Sequence, residues 1–266
     1  MTRHRYALVL LALHVALWGG CGGRRSQGGL TLAGSTSIQP FADKWAEVFM
    51  EKRPGLGVEV QGGGSSAGIQ ACKSGACEIG MSSRELKPDE KDLREIVVAR
   101  DGLAVIVHPS NPVLGLKVGE VKQIFAGDLA GWGPLGGEDR PITVVTREEG
   151  SGTRGAFQEL VMGDTRIFNG AITQDSNGTV REIVAHDPAA IGFISLGLVN
   201  DQVRALDLDG AAANEENIRN GSYKLVRPFL FVSRGEPSAV AKAFIDFILS
   251  DEGQALIVEE GLLPVR

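Results

Sequence analysis

The segment VEVQGGGSSAG, residues 58–68, joins a short apolar strand to a glycine-rich turn that carries serine, and it runs into a predicted helix. A strand, a similar turn and a helix also follow one another around GSTS at 34–37 and GSGT at 150–153, and SNGT at 176–179 is a looser case. Strands that alternate with helices are typical of an α/β fold with mainly parallel sheets. The repeated junction therefore decides the predicted fold class.

Apolar runs elsewhere extend this alternation along the chain. Phe41, Trp45 and Phe49 recur at helical spacing and predict a buried helix face over residues 38–52. No low-complexity linker divides the chain. If there are two domains, the chain then crosses between them more than once, and the predicted strands at 103–108 and 225–232 are the candidate crossings.

Each strand–turn–helix junction has the chemistry of an anion site. The first N–H groups of a helix lack an intrahelical partner, and the helix dipole adds partial positive charge there. Glycine lets the backbone approach a ligand closely, and hydroxyl groups add donors whose direction adjusts. One such turn alone is more often an ordinary helix cap. Several at the carboxyl ends of strands predict convergence on one small oxyanion.

Arg147 stands four residues before Ser151, beside the GSGT turn. Its planar guanidinium can bind two oxygens of a tetrahedral anion, and Glu148 or Glu149 can orient that group. A surface ion pair among these neighbours is the alternative. The adjoining anion-binding turn favours the ligand role for Arg147.

The overall charge argues against a nucleic-acid partner. The 266 residues include 27 lysines and arginines against 33 aspartates and glutamates, for a formal net charge of −6. An anion site in an acidic chain must be local, built from oriented dipoles and one or two cations. The sequence carries no cofactor motif and predicts no metal site, so we expect a binding protein that needs neither.

The N-terminus has the layout of a secretory signal. Two arginines precede an apolar stretch from Ala7 to Trp18 that is too short to span a membrane. Small residues directly before Cys21 are similar to a bacterial lipobox, although Trp18 is larger than is usual there. We expect residues 1–20 to be a signal peptide, Cys21 to be lipidated and 21–29 to be a tether that holds the exported protein at a membrane. An ordinary signal peptide is the alternative.

Cys72 and Cys77 are left as a pair once Cys21 is assigned to the lipid. Exported proteins meet an oxidising compartment, so a disulfide that closes this small loop is the first expectation. Two free thiols are the second. A metal site is disfavoured, because no histidine or second cysteine pair lies nearby in the sequence.

Several segments resemble the phosphate-binding proteins of high-affinity phosphate ABC transporters. They are AGSTSIQP at 33–40, QGGGSSAG at 61–68, IGMSSREL at 79–86, REEGSGT at 147–153, AIGF at 190–193 and the C-terminal segment 253–264. The resemblance covers essentially the whole mature chain in order, and the segment 147–153 is its most specific part.

That resemblance implies a two-lobed, type II-like periplasmic-binding-protein fold with two hinge strands and a ligand cleft between the lobes. It places residues 30–106 and 228–266 in the first lobe and 107–227 in the second. It implies a monomeric, non-catalytic receptor that captures inorganic phosphate and delivers it to an ABC permease. The implied ligand set is Ser35, Thr36, Ser37, Ser65, Ser83, Arg147, Ser151, Gly152 and Thr153.

Ser83 departs from the family pattern, since many members carry an aspartate at this position. A carboxylate accepts a hydrogen bond from the proton that phosphate keeps at neutral pH, and it repels fully ionised sulfate. A serine hydroxyl accepts a hydrogen bond but repels nothing, so this position does not predict strict discrimination between phosphate and sulfate. The sequence leaves Glu85, Glu149 and Asp175 as substitute acceptors and Arg84 as a second cation, without choosing among them.

Other functions fit parts of the sequence. Sulfate, arsenate, molybdate or tungstate would meet the same donors, and a surface sensor or adhesin could use the same clamp. The segment GSSAG at 64–68 matches the nucleophile elbow of serine hydrolases, with Ser66 as the nucleophile. That third function is disfavoured, because Ser66 lies early in the chain and only His108 and His186 remain in the mature chain to complete a triad.

Overall fold

A computed structural model describes residues 29–265 of the chain. The predicted signal peptide, Cys21 and nearly all of the predicted tether lie outside the described residues. Within residues 29–265, no helix is both long and apolar enough to cross a membrane.

Strands and helices alternate along the described chain, as the sequence predicts. The strands are β1 (Gly29–Gly34), β2 (Gly57–Gln61), β3 (Ile79–Ser82), β4 (Arg94–Val107), β5 (Gly115–Leu116), β6 (Thr143–Arg147), β7 (Ile172–Gln174), β8 (Ala190–Ser195), β9 (Arg204–Ala205), β10 (Asp207–Leu208) and β11 (Val226–Ser233). The helices are α1 (Gln39–Lys52), α2 (Ser65–Ser74), α3 (Val118–Ala126), α4 (Gly152–Phe157), α5 (Asn177–His186), α6 (Glu215–Arg219), α7 (Ala239–Ile248) and α8 (Asp251–Glu259).

Strand β4 belongs to two groups of strands, one in each lobe. The first group has the order β2-β1-β3-β11-β4, with β1 parallel to β2 and β3 and with β11 antiparallel to both of its neighbours. The second continues from β4 through β8 and β6 to β7, and β8, β6 and β7 run parallel. The fold is therefore mixed α/β and two-lobed.

The two long strands β4 and β11 are the links between the lobes. β4 pairs with β11 from Arg94 to Gly102 and with β8 from Leu103 to Val107. The chain returns to the first lobe through β11. Just before β11, the carbonyl of Leu225 accepts a hydrogen bond from the N–H of Leu103 on β4. The predicted lobe boundaries, after residues 106 and 227, fall within these two strands and stay a prediction.

Each lobe has its own apolar core. In the first lobe, α1 packs the rings of Phe41 and Trp45 on β11, and the centroids of Phe41 and Phe229 are 6.1 Å apart. In the second, Phe157 of α4 stacks on Phe193 of β8 with centroids 4.1 Å apart. Burial of aromatic rings at this spacing stabilises both lobes.

Cys72 and Cys77 are buried free thiols in the first lobe, so the disulfide that the sequence led us to expect first is not formed in the structure. The two sulfur atoms contact different carbonyls: Cys72 Sγ lies 3.4 Å from Val232 O, and Cys77 Sγ lies 3.9 Å from Gly68 O. Burial raises the pKa of both thiols, that of Cys77 to about 11.

Candidate oxyanion-binding site

The first turn of the candidate site follows β1. Ser35 stabilises the turn that leads into α1, because its Oγ accepts from the N–H groups of Ser37 at 3.2 Å and Ile38 at 3.4 Å. The Ser35 hydroxyl then donates to Ser83 Oγ over 2.8 Å. Ser83 follows β3, next to β1 in the sheet, so adjacent parallel strands bring the two serines together.

The second turn follows β2 and opens α2. Gly64 precedes the helix with φ +91°, a conformation that favours glycine. Ser65, the first residue of α2, is fully buried, and its Oγ accepts from the N–H of Ser83 over 3.1 Å. Three strand ends of the first lobe thus place Ser35, Ser65 and Ser83 in one hydroxyl cluster.

The second lobe contributes the turn between β6 and α4. Ser151 Oγ accepts from the N–H of Arg154 over 3.2 Å and caps α4. Gly152 lies against the first lobe, where a side chain would collide with the Oγ atoms of Ser65 and Ser83. The absence of a side chain here lets the helix start approach those hydroxyls closely.

Hydrogen bonds join the two lobes across the cluster. The Oγ of Ser37 lies 2.7 Å from Oγ1 of Thr153. Nη2 of Arg147 donates to Oγ1 of Thr36 over 3.1 Å. The N–H of Ser66 donates to the Gly150 carbonyl over 3.1 Å. The structure therefore holds the two lobes closed on each other at this point.

Arg147 is the cation of the second lobe, and its residue is 1% exposed. Its Nε and Nη2 each donate to Glu148 over 3.0 Å, and Nη2 also donates to the Asp175 carbonyl over 2.8 Å. Nη1 is buried and has no partner among the described residues. Burial lowers the pKa of Arg147 while Glu148 opposes that shift, and a guanidinium stays charged at neutral pH.

The structure brings the nine residues of the predicted ligand set to this one region, although their contacts with a ligand stay a prediction. Arg84 is committed elsewhere: it forms a buried ion pair with Glu90, with Nη1 and Oε2 2.7 Å apart. The three proposed substitute acceptors, Glu85, Glu149 and Asp175, are exposed side chains. None of the three forms a hydrogen bond with Ser83 in the described chain.

Sequence reasoning missed Arg227 and Asp101, and it noticed Asn177 only as part of a loose turn. Nη2 of Arg227 and Nδ2 of Asn177 both donate to Ser37 Oγ, over 3.1 and 2.9 Å. Asp101 holds Arg227 in an ion pair with a 2.7 Å contact. The available signal was a charged residue within each strand that links the lobes.

A hydrolytic triad at Ser66 is not assembled. Ser66 Oγ accepts from Nη2 of Arg84 over 3.2 Å. His108 Nδ1 contacts Ser110 Oγ instead, and His186 Nδ1 contacts the Glu182 carbonyl. No histidine within residues 29–265 forms a hydrogen bond with Ser66.

Sequence relatives of this chain are phosphate-binding proteins. Residues 21–252 match the family model described as a PBP superfamily domain. The chain is 36% identical to the phosphate-binding protein PstS of Bacillus subtilis over 250 residues, which cover 92% of this chain and 83% of that protein. It is 31% identical to PstS of Pseudomonas aeruginosa over 272 residues, covering 90% and 83%.

Solved structures agree with these relatives. A phosphate ABC transporter substrate-binding protein with bound phosphate from Clostridium perfringens superposes with a TM-score of 0.87 at 43% identity, covering 90% of this chain and all of that one. An ABC-type phosphate transport receptor from Vibrio cholerae gives 0.75 at 37% identity, covering 88% and 99%. These are transport proteins rather than enzymes, and the chain belongs to the PstS family of phosphate-binding proteins within the PBP superfamily.

Proposed function

We propose that this protein captures inorganic phosphate outside the cytoplasm and delivers it to an ABC permease. One observation carries the proposal: the buried Nη1 of Arg147 has no partner among residues 29–265, while Nη2 of the same guanidinium reaches the hydroxyl cluster at Thr36. A buried charged donor without an acceptor is costly. A phosphate oxygen satisfies it.

Phosphate enters while the lobes are apart, and the lobes then close on it. The hydroxyls of Thr36, Ser37 and Thr153 and the helix starts at Ser65 and Gly152 replace the water shell of the anion with fixed dipoles. Many donors share the neutralisation of the charge. The acidic protein surface is therefore compatible with tight binding of an anion.

The decisive experiment is calorimetric titration of the purified protein with phosphate. We expect Arg147→Ala to weaken binding by about 100-fold, because a charge-assisted hydrogen bond to a buried anion is lost. Ser151→Ala weakens it less. Arg219→Ala is the matched control, since Arg219 forms only an exposed pair with Glu215. Wild-type affinity in both Arg147→Ala and Ser151→Ala would overturn the site assignment.

A permissive oxyanion site is the second candidate, and Ser83 favours it. Ser83 is fully buried in the hydroxyl cluster and carries no charge that would repel sulfate. Titration with sulfate under the same conditions decides between the two candidates. Comparable affinities for both anions would favour the permissive site.

Membrane attachment rests on Cys21 and is part of the proposal. We propose that Cys21 carries a lipid and that residues 21–29 tether a monomeric receptor at the membrane. Metabolic labelling with a radioactive fatty acid tests the lipid, and Cys21→Ala should release the protein into the soluble fraction. Recovery of unlabelled wild-type protein in that fraction would favour an ordinary signal peptide, and gel filtration reports the monomeric state.

A further inference from the structure

The two strands that link the lobes carry a buried ion pair. Arg227 on β11 stands opposite Asp101 on β4 in the antiparallel register. Nε of Arg227 donates to Oδ2 of Asp101 over 2.9 Å, and Nη2 lies 2.7 Å from the same oxygen. Ser195 Oγ donates to the other carboxylate oxygen over 2.8 Å. Arg227 is 2% exposed and Asp101 is 0% exposed, so the ion pair is buried where β4 and β11 link the lobes.

Arg227 also reaches the site through Ser37. Its Nη2 donates to Ser37 Oγ over 3.1 Å, while Nδ2 of Asn177 donates to the same oxygen over 2.9 Å from the other lobe. A hydroxyl oxygen has two acceptor lone pairs and one proton. Both lone pairs are filled, so the Ser37 proton can only be donated. In this structure Oγ1 of Thr153, 2.7 Å away, receives it.

We propose that Arg227 is a positioning residue that fixes the Ser37 hydroxyl as a donor and thereby makes the site prefer doubly ionised phosphate. The inference rests on the proposed function. A hydroxyl held by a guanidinium is a stronger donor than a free one. It also cannot rotate to accept a proton from the ligand, so the form of phosphate with fewer protons fits better.

The charged and titratable groups around Arg227 must be separated from this effect. They are Asp101 on β4 and Arg147 at the end of β6, and Tyr223, just before β11, lies near the carboxylate of Asp101. Burial raises the pKa of Asp101, so its own titration must be separated from that of phosphate. Two variants do so: Arg227→Lys keeps Asp101, and Arg227→Gln combined with Asp101→Asn removes it.

The experiment measures phosphate affinity by calorimetry from about pH 6 to about pH 8, where phosphate takes its second charge. Wild-type affinity should rise with pH. At the upper pH, both variants should bind phosphate at least about tenfold more weakly than wild type. At the lower pH, their loss of phosphate affinity should be smaller. Their plots of affinity against pH should therefore be flatter than that of wild type. The matched control combines Arg84→Gln with Glu90→Gln. It neutralises another buried pair and should keep the wild-type profile.

A thermodynamic cycle tests whether Arg227 acts through Ser37. In a Ser37→Ala background, Arg227→Lys should cause less than about a threefold further loss. Equal losses in both backgrounds, or a profile parallel to wild type, would overturn the inference. Thermal melting checks that each variant folds, and Arg227→Lys keeps the test available if the neutral pair does not fold. If wild-type protein fails to bind phosphate, the proposed function itself fails, which is a distinct result.

Discussion

Thr36 and Arg147 lie on opposite lobes, and Nη2 of Arg147 donates to Oγ1 of Thr36 over 3.1 Å. The bond exists only while the lobes are closed. The donor belongs to the guanidinium whose Nη1 has no partner in the described part of the chain. The bond therefore links closure of the lobes to the position of the charge that we propose binds phosphate.

Thr36→Val should weaken phosphate binding by about tenfold with little change in melting temperature, because it removes a hydroxyl at the cleft without changing shape. Thr146→Val is the matched control. Thr146 Oγ1 is buried without a partner among the described residues, so its removal should leave affinity unchanged and stability equal or higher. Calorimetry and thermal melting measure both, and equal phosphate affinities in the two variants would argue against a ligand role for Thr36.

Ser83→Asp should sharpen discrimination between phosphate and sulfate. A carboxylate beside Ser35 and Gly152 would accept the phosphate proton but repel a fully ionised anion. We expect sulfate affinity to fall by at least about tenfold more than phosphate affinity. Competition titrations give the ratio, with Ser83→Ala as the uncharged control. An unchanged ratio in Ser83→Asp would mean that residue 83 does not face the anion.

Gly152→Ala should impair closure. The new methyl group collides with the hydroxyls of Ser65 and Ser83, which belong to the other lobe. We expect phosphate affinity to fall by about 100-fold, while each lobe keeps its own core. Gly119→Ala is the control, since nothing lies within 4 Å of the added methyl group and the change favours helix. Small-angle scattering should show Gly152→Ala more open with phosphate, and a closed variant would contradict the collision.

The Cys77 thiol should make the protein less stable in alkaline solution. Its pKa is about 11 in the folded chain against 9.0 as the ordinary value, with burial the main cause. The folded thiol keeps its proton where the unfolded thiol loses it. This stabilisation is present below pH 9.0 and is lost as pH rises towards about 11. Melting temperatures under reducing conditions should therefore fall more steeply for wild type than for Cys77→Ala.

A separate thiol assay tests the disulfide that the sequence led us to expect between Cys72 and Cys77. A chromogenic thiol reagent should react with Cys72 and Cys77 only after unfolding. If oxidised wild-type protein shows neither thiol after unfolding, the disulfide forms in solution. If the melting temperatures of wild type and Cys77→Ala fall equally steeply with pH, the raised pKa of the Cys77 thiol does not contribute to stability.

Local sequence patterns predicted the elements whose buried residues recur at regular spacing within a short segment. The helical spacing of Phe41, Trp45 and Phe49 predicted a helix over residues 38–52, and these rings form the buried face of α1. The start of β4 was missed, because exposed Arg94 and Arg100 interrupt its apolar pattern. Those residues form a strand through pairing with β11, which lies far along the chain. Tertiary pairing of this kind leaves little local signal.

The residues of the candidate site also differ in whether local sequence could predict them. Turns such as the one at Ser151 were predictable, since a helix cap and its glycine are neighbours in sequence. Arg227 and Asp101 were not, because they meet only through strand register across a separation of 126 residues. A charged residue in an apolar strand marks such a pair, but the sequence does not name its partner.

The placement of β11 has a consequence for biosynthesis. This strand is near the C-terminus, yet it occupies the middle of the first lobe, between β3 and β4. The early strands therefore cannot complete their sheet until residues 226–233 have been made, whereas the second lobe is nearly contiguous and can assemble first. A nascent chain remains open along its N-terminal half while it is translated.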